Sequence, residues 1–170
     1  MIYLIGCIFI SLITCIDLLL NSKSFSRLIS LFILFLLLLL VSLRNGVGTD
    51  WDAYSSFYKE TTDRTEFGYA FVNNLFSNLG FPYYLFLFII NGFSLLLIYL
   101  FLRRNSALLT IGLLIYFSDL FLYYNLSGIR QGIAISITCF SINYAIKRNF
   151  ILFLIFIIFP NGKNNFRKNK

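Results

Sequence analysis

Residues 28–50 read LISLFILFLLLLLVSLRNGVGTD. From Leu28 to Leu43 there is no charge, glycine or proline; Arg44, Gly46, Gly48 and Asp50 then follow in quick succession. A helix that is apolar all round needs an apolar environment on every side, and the polar break after it needs water. The stretch reads as a membrane helix that leaves the bilayer at Arg44.

The same alternation continues in both directions. Ile2–Leu20 precedes it and carries Asp17 near its end. Phe81–Leu102 follows, opened by Pro82 with Tyr83 and Tyr84 at the interface, then Ala107–Tyr124 with Asp119, then Ile129–Ile146 with Arg130 at its start. A membrane helix needs about 20 mostly apolar residues, and these five runs reach or approach that length. A sixth run, Phe150–Phe159, spans only about 15 Å at 1.5 Å per residue. The 170-residue chain is 59% hydrophobic and 12% charged, against roughly 45–50% and 25% in soluble domains. Its mean hydropathy is +0.82. This excludes a disordered chain, a collagen-like chain, a disulfide scaffold and an ordinary soluble enzyme. The fold class is all-α: a polytopic integral membrane helical bundle of five spans with a short sixth. Residues 1–160 form one transmembrane domain and 161–170 a basic tail.

There is no histidine, so the commonest general base and metal ligand is missing. Cys7, Cys15 and Cys139 lie in apolar runs without paired spacing, which supports neither a disulfide framework nor a metal centre. Leu4-Ile5-Gly6-Cys7 has the look of a lipoprotein cleavage site. Only six residues precede Cys7, none of them basic, so a retained helix is expected there.

The net charge is +7, and its placement orients the helices. Lys23 with Arg27, Arg103 with Arg104, and Lys147 with Arg148 fall in three alternate loops that hold no acid. Those loops are cytoplasmic, and the N-terminus is outside. The long loop 44–80 is then also outside. It holds Arg44, Lys59 and Arg64 against Asp50, Asp52, Glu60, Asp63 and Glu66, a net charge of −2. Thr49 and Asp50 are good caps, and Thr49-x-x-Asp52 is a loose capping box for a short helix from Trp51 to Lys59. Val72, Leu75, Phe76 and Leu79 fall at i, i+3, i+4 and i+7, with Asn73, Asn74, Ser77 and Asn78 opposite. Gly80 and Pro82 stop this second helix. The loop is expected to lay these amphipathic helices on the lipid surface, with aromatic residues toward lipid and acids toward the medium.

Within this loop and at the ends of the spans lie the chemical candidates. Gly46-Val47-Gly48-Thr49-Asp50 lacks the Gly-Lys-Ser/Thr ending of a phosphate loop and reads as a tight turn. Asp50 and Asp52 could hold Mg²⁺ or Mn²⁺ through oxygen ligands, serve as a base for a sugar hydroxyl, or simply cap a helix. Arg44 and Arg130 both lie at the outer interface, where guanidinium forks match phosphate, although Arg44 also fits ordinary snorkelling. Asp119 needs a partner in the membrane, and Arg130 is the nearest for a structural pair. Asp17 is expected to reach water. Asn125-Leu126-Ser127 matches a glycosylation sequon close to the membrane.

Three pieces in fixed order resemble the EpsG family of exopolysaccharide-biosynthesis membrane proteins, relatives of Wzy-like O-antigen and capsule polymerases. They are Arg44 with Gly48-Thr49-Asp50-Trp51 and Tyr54; Glu66-x-Gly68-Tyr69; and Gly128-Ile129-Arg130-Gln131-Gly132-Ile133-Ala134 opening a helix. The resemblance covers about residues 1–155. It implies a multi-pass protein of the bacterial inner membrane that joins oligosaccharide units carried on polyprenyl diphosphate, a glycosyltransferase using a lipid-linked donor. By position, Asp50 and Glu66 would be catalytic, and Arg44, Asp52, Tyr54, Tyr69, Arg130 and Gln131 would bind substrate. No cofactor is implied beyond a weak Mg²⁺ or Mn²⁺ site at Asp50 and Asp52, and no other metal. The implied partners are the lipid-linked oligosaccharide, the bilayer and other polysaccharide-biosynthesis membrane proteins, not nucleic acid. Two alternatives stand beside this reading: a non-catalytic assembly partner of a polysaccharide complex, and a small transporter, for which no internal repeat is seen. Family members continue into further helices with a Phe-His pattern that this chain lacks. A tail entering at Lys147 and Arg148 would leave Lys163, Arg167, Lys168 and Lys170 near mid-membrane, at roughly 2.5–3.5 kcal/mol each. The tail is therefore expected to fold back to the cytoplasm or the last segment to stay out of the membrane, and the chain to be a truncated or frame-shifted member, which could leave it inactive.

Overall fold

The computed structural model describes residues 2–20, 22–48, 50–60 and 67–161, and every regular element among them is helical. The helices are α1 (Ile2–Leu20), α2 (Lys23–Ser42), α3 (Trp51–Glu60), α4 (Phe67–Asn78), α5 (Tyr83–Asn105), α6 (Leu109–Ile115), α7 (Ile129–Ile146) and α8 (Phe150–Asn161). A π-helix, Tyr116–Asn125, continues α6. Two of them, α2 and α5, are long and apolar enough to cross a membrane; Leu4–Leu20 and Leu109–Asn125 are shorter apolar helices. The basic tail expected from 161 onward lies outside the described residues except for Asn161.

The bundle is built around α5, which packs on both α2 and α7. Helices α1 and α6 close the other side, and α8 lies on α7 through Phe156 against Phe140 and Tyr144. Ile33, Leu37 and Val41 of α2, Leu95 and Ile98 of α5, and Leu113, Phe117 and Phe121 fill the main core. Apolar residues also cover the outside: Leu12, Leu19, Phe32, Phe35, Phe93, Leu96 and Ile115 are all exposed. Apolar contacts alone could not order such helices in lipid, because tails are as apolar as leucine; polar and small residues must do it.

They do so in the middle of the bundle. The Tyr116 hydroxyl donates to Asn125 Oδ1 at 2.7 Å. The Asn125 amide in turn reaches Asn91 Oδ1 and Ser94 Oγ of α5, both at 3.4 Å. Ser94 meets Ser136 of α7, whose hydroxyl returns to the Gly132 carbonyl at 2.7 Å. The wide turns of the π-helix make this possible. Its i→i+5 register, seen at Leu126 N–H to the Phe121 carbonyl, brings Tyr116 and Asn125 to the same side. Asn125 is 2% exposed and its amide is committed to the bundle core, in keeping with the little weight that a sequon so close to the membrane carries.

A second polar contact joins α1 to α6. Asp17 is 5% exposed, and its Oδ2 accepts the Thr110 hydroxyl at 2.7 Å. The expectation that Asp17 reaches water is overturned, because packing of α6 on α1 supplies a donor that the chain order hid. Asp119 behaves in the opposite way. It is exposed on the π-helix, and no ion pair joins it to Arg130, because Arg130 turns toward Tyr54 of α3 instead.

Asn125→Ala removes the acceptor of a buried tyrosine hydroxyl and should destabilise the detergent-solubilised protein by about 1–3 kcal/mol. The Tyr116→Phe, Asn125→Ala double variant should cost less than the sum of the singles in unfolding experiments. Strict additivity would show that the two side chains do not act as a pair.

Candidate functional site

The chain leaves α2 through Leu43 and places Arg44 inside the protein, 7% exposed. It then reverses through Gly46 at φ +66° and Gly48 at φ +111°, values that side-chain-bearing residues rarely adopt. Gly48 packs directly on the backbone before α7: a Cβ there would land on the Leu126 carbonyl oxygen and 3.2 Å from Arg44 Nη1. The turn after α2 and the turn before α7 are thereby joined, although they are far apart in sequence. The Trp51 N–H donates to the Gly48 carbonyl at 3.3 Å, so α3 starts directly from this contact.

Helix α3 is held on α4 by side chains that read as polar and outward in the sequence. The Asn73 amide donates to the Phe57 carbonyl at 2.9 Å, and the Ser77 hydroxyl to the Tyr58 carbonyl at 3.0 Å. The Tyr58 hydroxyl caps the Phe81 carbonyl. The expected arrangement of this loop is therefore corrected. Tyr54, Tyr58 and Tyr69 are buried in a core of their own with Phe86, Leu87 and Ile129, while Phe71 and Leu75 of α4 and Leu79 just after it are exposed. Backbone carbonyls of α3 need donors, and Asn73 and Ser77 supply them.

Two guanidinium groups meet this aromatic core. Arg44 lies over the Trp51 ring, 5.5 Å from its centroid, and Trp51 packs edge-on against Tyr83 at 5.3 Å. Arg130, in the first turn of α7, lies 5.7 Å from the Tyr54 ring centre, and its Nε donates to the Tyr54 hydroxyl at 3.2 Å. Tyr54 packs on Tyr69 at 5.8 Å. Burial is the main reason the Tyr69 phenol is held well above its ordinary pKa of 10; Tyr83 and Tyr54 add to the rise, and both Arg130 and Arg44 oppose it. Tyr69 thus feels both cations. The hydroxyls of Tyr69 and Tyr83 are buried and lack a hydrogen-bond partner among the described residues. An orphaned buried hydroxyl costs roughly 1–3 kcal/mol, so two of them side by side are unusual for a packed core.

The residues singled out in the sequence fall into three groups. Arg44, Tyr54, Tyr69 and Arg130 come together. Asp50 and Asp52 sit at the start of α3, both exposed, and Gln131 is exposed with its amide folded over Gly128. Glu66 lies outside the described residues. The sequence reading passed over Trp51 and Tyr83 as binding residues. Trp51 stands inside the quoted motif and could have been found there; Tyr83 read as a lipid anchor, and only the docking of α3 turns it inward. The whole arrangement could hold an oxyanion between two guanidinium groups, with phenol hydroxyls and an indole face for a polyol.

A sequence model described as the EpsG family matches residues 27–160. No curated protein and no solved structure matches the chain.

Gly48→Ala should separate the loop from Leu126 and cost about 1–3 kcal/mol from the positive φ alone, with crosslinking between engineered cysteines in the two turns falling accordingly. Alkaline titration checks the burial of Tyr69. Its folded pKa is raised, so stability is intact below pH 10 and falls as pH rises beyond it. Tyr69→Phe should flatten that part of the unfolding profile.

Proposed function

Because the chain belongs to the EpsG family, membrane proteins of exopolysaccharide biosynthesis, we propose that it is a polysaccharide polymerase that takes polyprenyl-diphosphate-linked oligosaccharides as substrates. In this reading α1, α2, α5, the α6–π helix and α7 cross the inner membrane. The bases Lys23, Arg27, Arg103, Arg104, Lys147 and Arg148 then face the cytoplasm, and α3 and α4 face outward.

The observation that carries the reading is the pair of orphaned hydroxyls, on Tyr69 and Tyr83, beside two guanidinium groups at the end of the apolar bundle. Such a place meets lipid on one side and water on the other, as a substrate with a polyprenyl tail and a sugar head requires. Arg44 and Arg130 take the diphosphate, for which planar guanidinium groups are suited. Trp51 and the tyrosines take the sugar. An acceptor hydroxyl attacks the anomeric carbon of the donor unit. The bond from that carbon to the diphosphate oxygen breaks, the hydroxyl proton passes to a carboxylate, and polyprenyl diphosphate leaves with its charge held by the arginines. Asp50 and Glu66 are the carboxylates the family resemblance assigns to the proton.

Polymer length in cells carrying single variants tests this. Arg130→Gln and Arg44→Gln should each lower polymer formation about 10–100-fold, since charge-assisted bonds are worth roughly 1.5–3 kcal/mol. Tyr69→Phe should lower it while leaving the unfolding midpoint unchanged or raised, because it removes an orphaned hydroxyl. Normal polymer in all three variants would leave the chain as a non-catalytic partner in the assembly.

A further inference from the structure

At the opposite end of α2 and α5 from Arg44 and Tyr83 lies a cavity of about 370 Å³. Helix α2 has 20 residues, so the two ends are about 30 Å apart. The cavity is framed by the end of α1, the start of α2 and the link from α5 to α6. Lys23, Arg27 and Arg103 line it together with Ser22, Ser26 and Ser106. None of the three cations makes an ion pair or hydrogen bond among the described residues. Three like charges brought to one concavity repel one another, and bundle packing, which places Arg103 of α5 beside α2, holds them there. The start of α2 also borders the cavity, and the Ser22 side chain does not cap its first amides.

The wall also contains Asp17. Its Oδ2 takes the Thr110 hydroxyl, whereas its Oδ1 is buried without a partner. The lining therefore offers a net charge of +2 together with one acceptor that lacks a donor. A plain phosphate monoester would satisfy the cations but set a second negative charge against Asp17. A phosphodiester that ends in a hydroxyl satisfies both.

We propose that this cavity is a binding site for the head of an anionic glycerophospholipid of the phosphatidylglycerol type. Its phosphodiester lies among Lys23, Arg27 and Arg103, and its terminal hydroxyl donates toward Asp17. Leu18 and Leu108 in the same wall continue into the apolar exterior and receive the start of the acyl chains. On the orientation proposed above, the site faces the inner leaflet, where it would hold α1, α2 and α5 together at the end remote from the sugar site.

Lipid retention by the full chain, read by native mass spectrometry in detergent, tests the assignment. Phosphatidylglycerol should be retained over phosphatidylcholine, and Arg27→Gln with Arg103→Gln should weaken retention about fivefold for each base removed. The charge-matched pair Lys147→Gln with Arg148→Gln, on the same side but outside the cavity, should leave it unchanged. Asp17→Asn should narrow the preference for phosphatidylglycerol over phosphatidic acid. Equal losses in the two double variants would reduce the effect to general surface charge and overturn the site. Thermal stabilisation by millimolar inorganic phosphate equal to that by phosphatidylglycerol would overturn the lipid as its source. Should the cavity double variant fail to fold, Arg103→Gln alone serves, and undiminished retention in it would equally sink the proposal.

Discussion

The hydrogen bond from Arg130 to the Tyr54 hydroxyl joins two parts of the chain with different physical demands. Arg130 opens α7, which belongs to the apolar bundle; Tyr54 lies in α3, part of a segment rich in charge. A guanidinium at the mouth of a bundle is costly unless its donors are used and its face is covered. Tyr54 contributes to both, since its hydroxyl accepts from Nε and its ring lies under the cation. Arg44 repeats the arrangement with Trp51. The aromatic residues of α3 thus cover part of both cations.

This cover depends in turn on polar contacts deeper in the bundle. Gly48 rests on Leu126, and Leu126 follows directly on Asn125. Asn125 is fixed by Tyr116, Asn91 and Ser94. A chain of close contacts therefore runs from the centre of the bundle, through the end of the π-helix, to the loop that carries Arg44. In a medium where apolar surfaces have no preference for one another, such hydrogen bonds set the register of helices. Membership in the EpsG family, membrane proteins of exopolysaccharide biosynthesis, places the bundle in such a medium.

Much of this was legible in advance. The apolar runs at Ile2–Leu20, Leu28–Leu43, Phe81–Leu102, Ala107–Tyr124 and Ile129–Ile146 coincide within a few residues with α1, α2, α5, α6 plus the π-helix, and α7. The helix from Trp51 was legible from its turn and cap signals. The facing of α4 was not, because Asn73 and Ser77 are polar residues that point inward to satisfy carbonyls of α3. Hydrophobic periodicity assigns polar residues to water and has no knowledge of a neighbouring helix in need of donors. The same blindness misplaced Asp17, whose donor lies on a helix ninety-three residues later.

The sequence by itself determined that the chain is helical and roughly where its apolar helices lie. Those are properties of local composition, and they follow from the backbone's need for internal hydrogen bonds in an apolar setting. Only the tertiary structure decided which of these residues meet. The partnership of Arg130 with Tyr54 rather than Asp119, the inward turn of Tyr83, and the convergence of Lys23, Arg27 and Arg103 on one cavity all depend on helix register. Register is set by a few buried hydrogen bonds and one close glycine contact, and these join positions whose spacing along the chain carries no periodic signal.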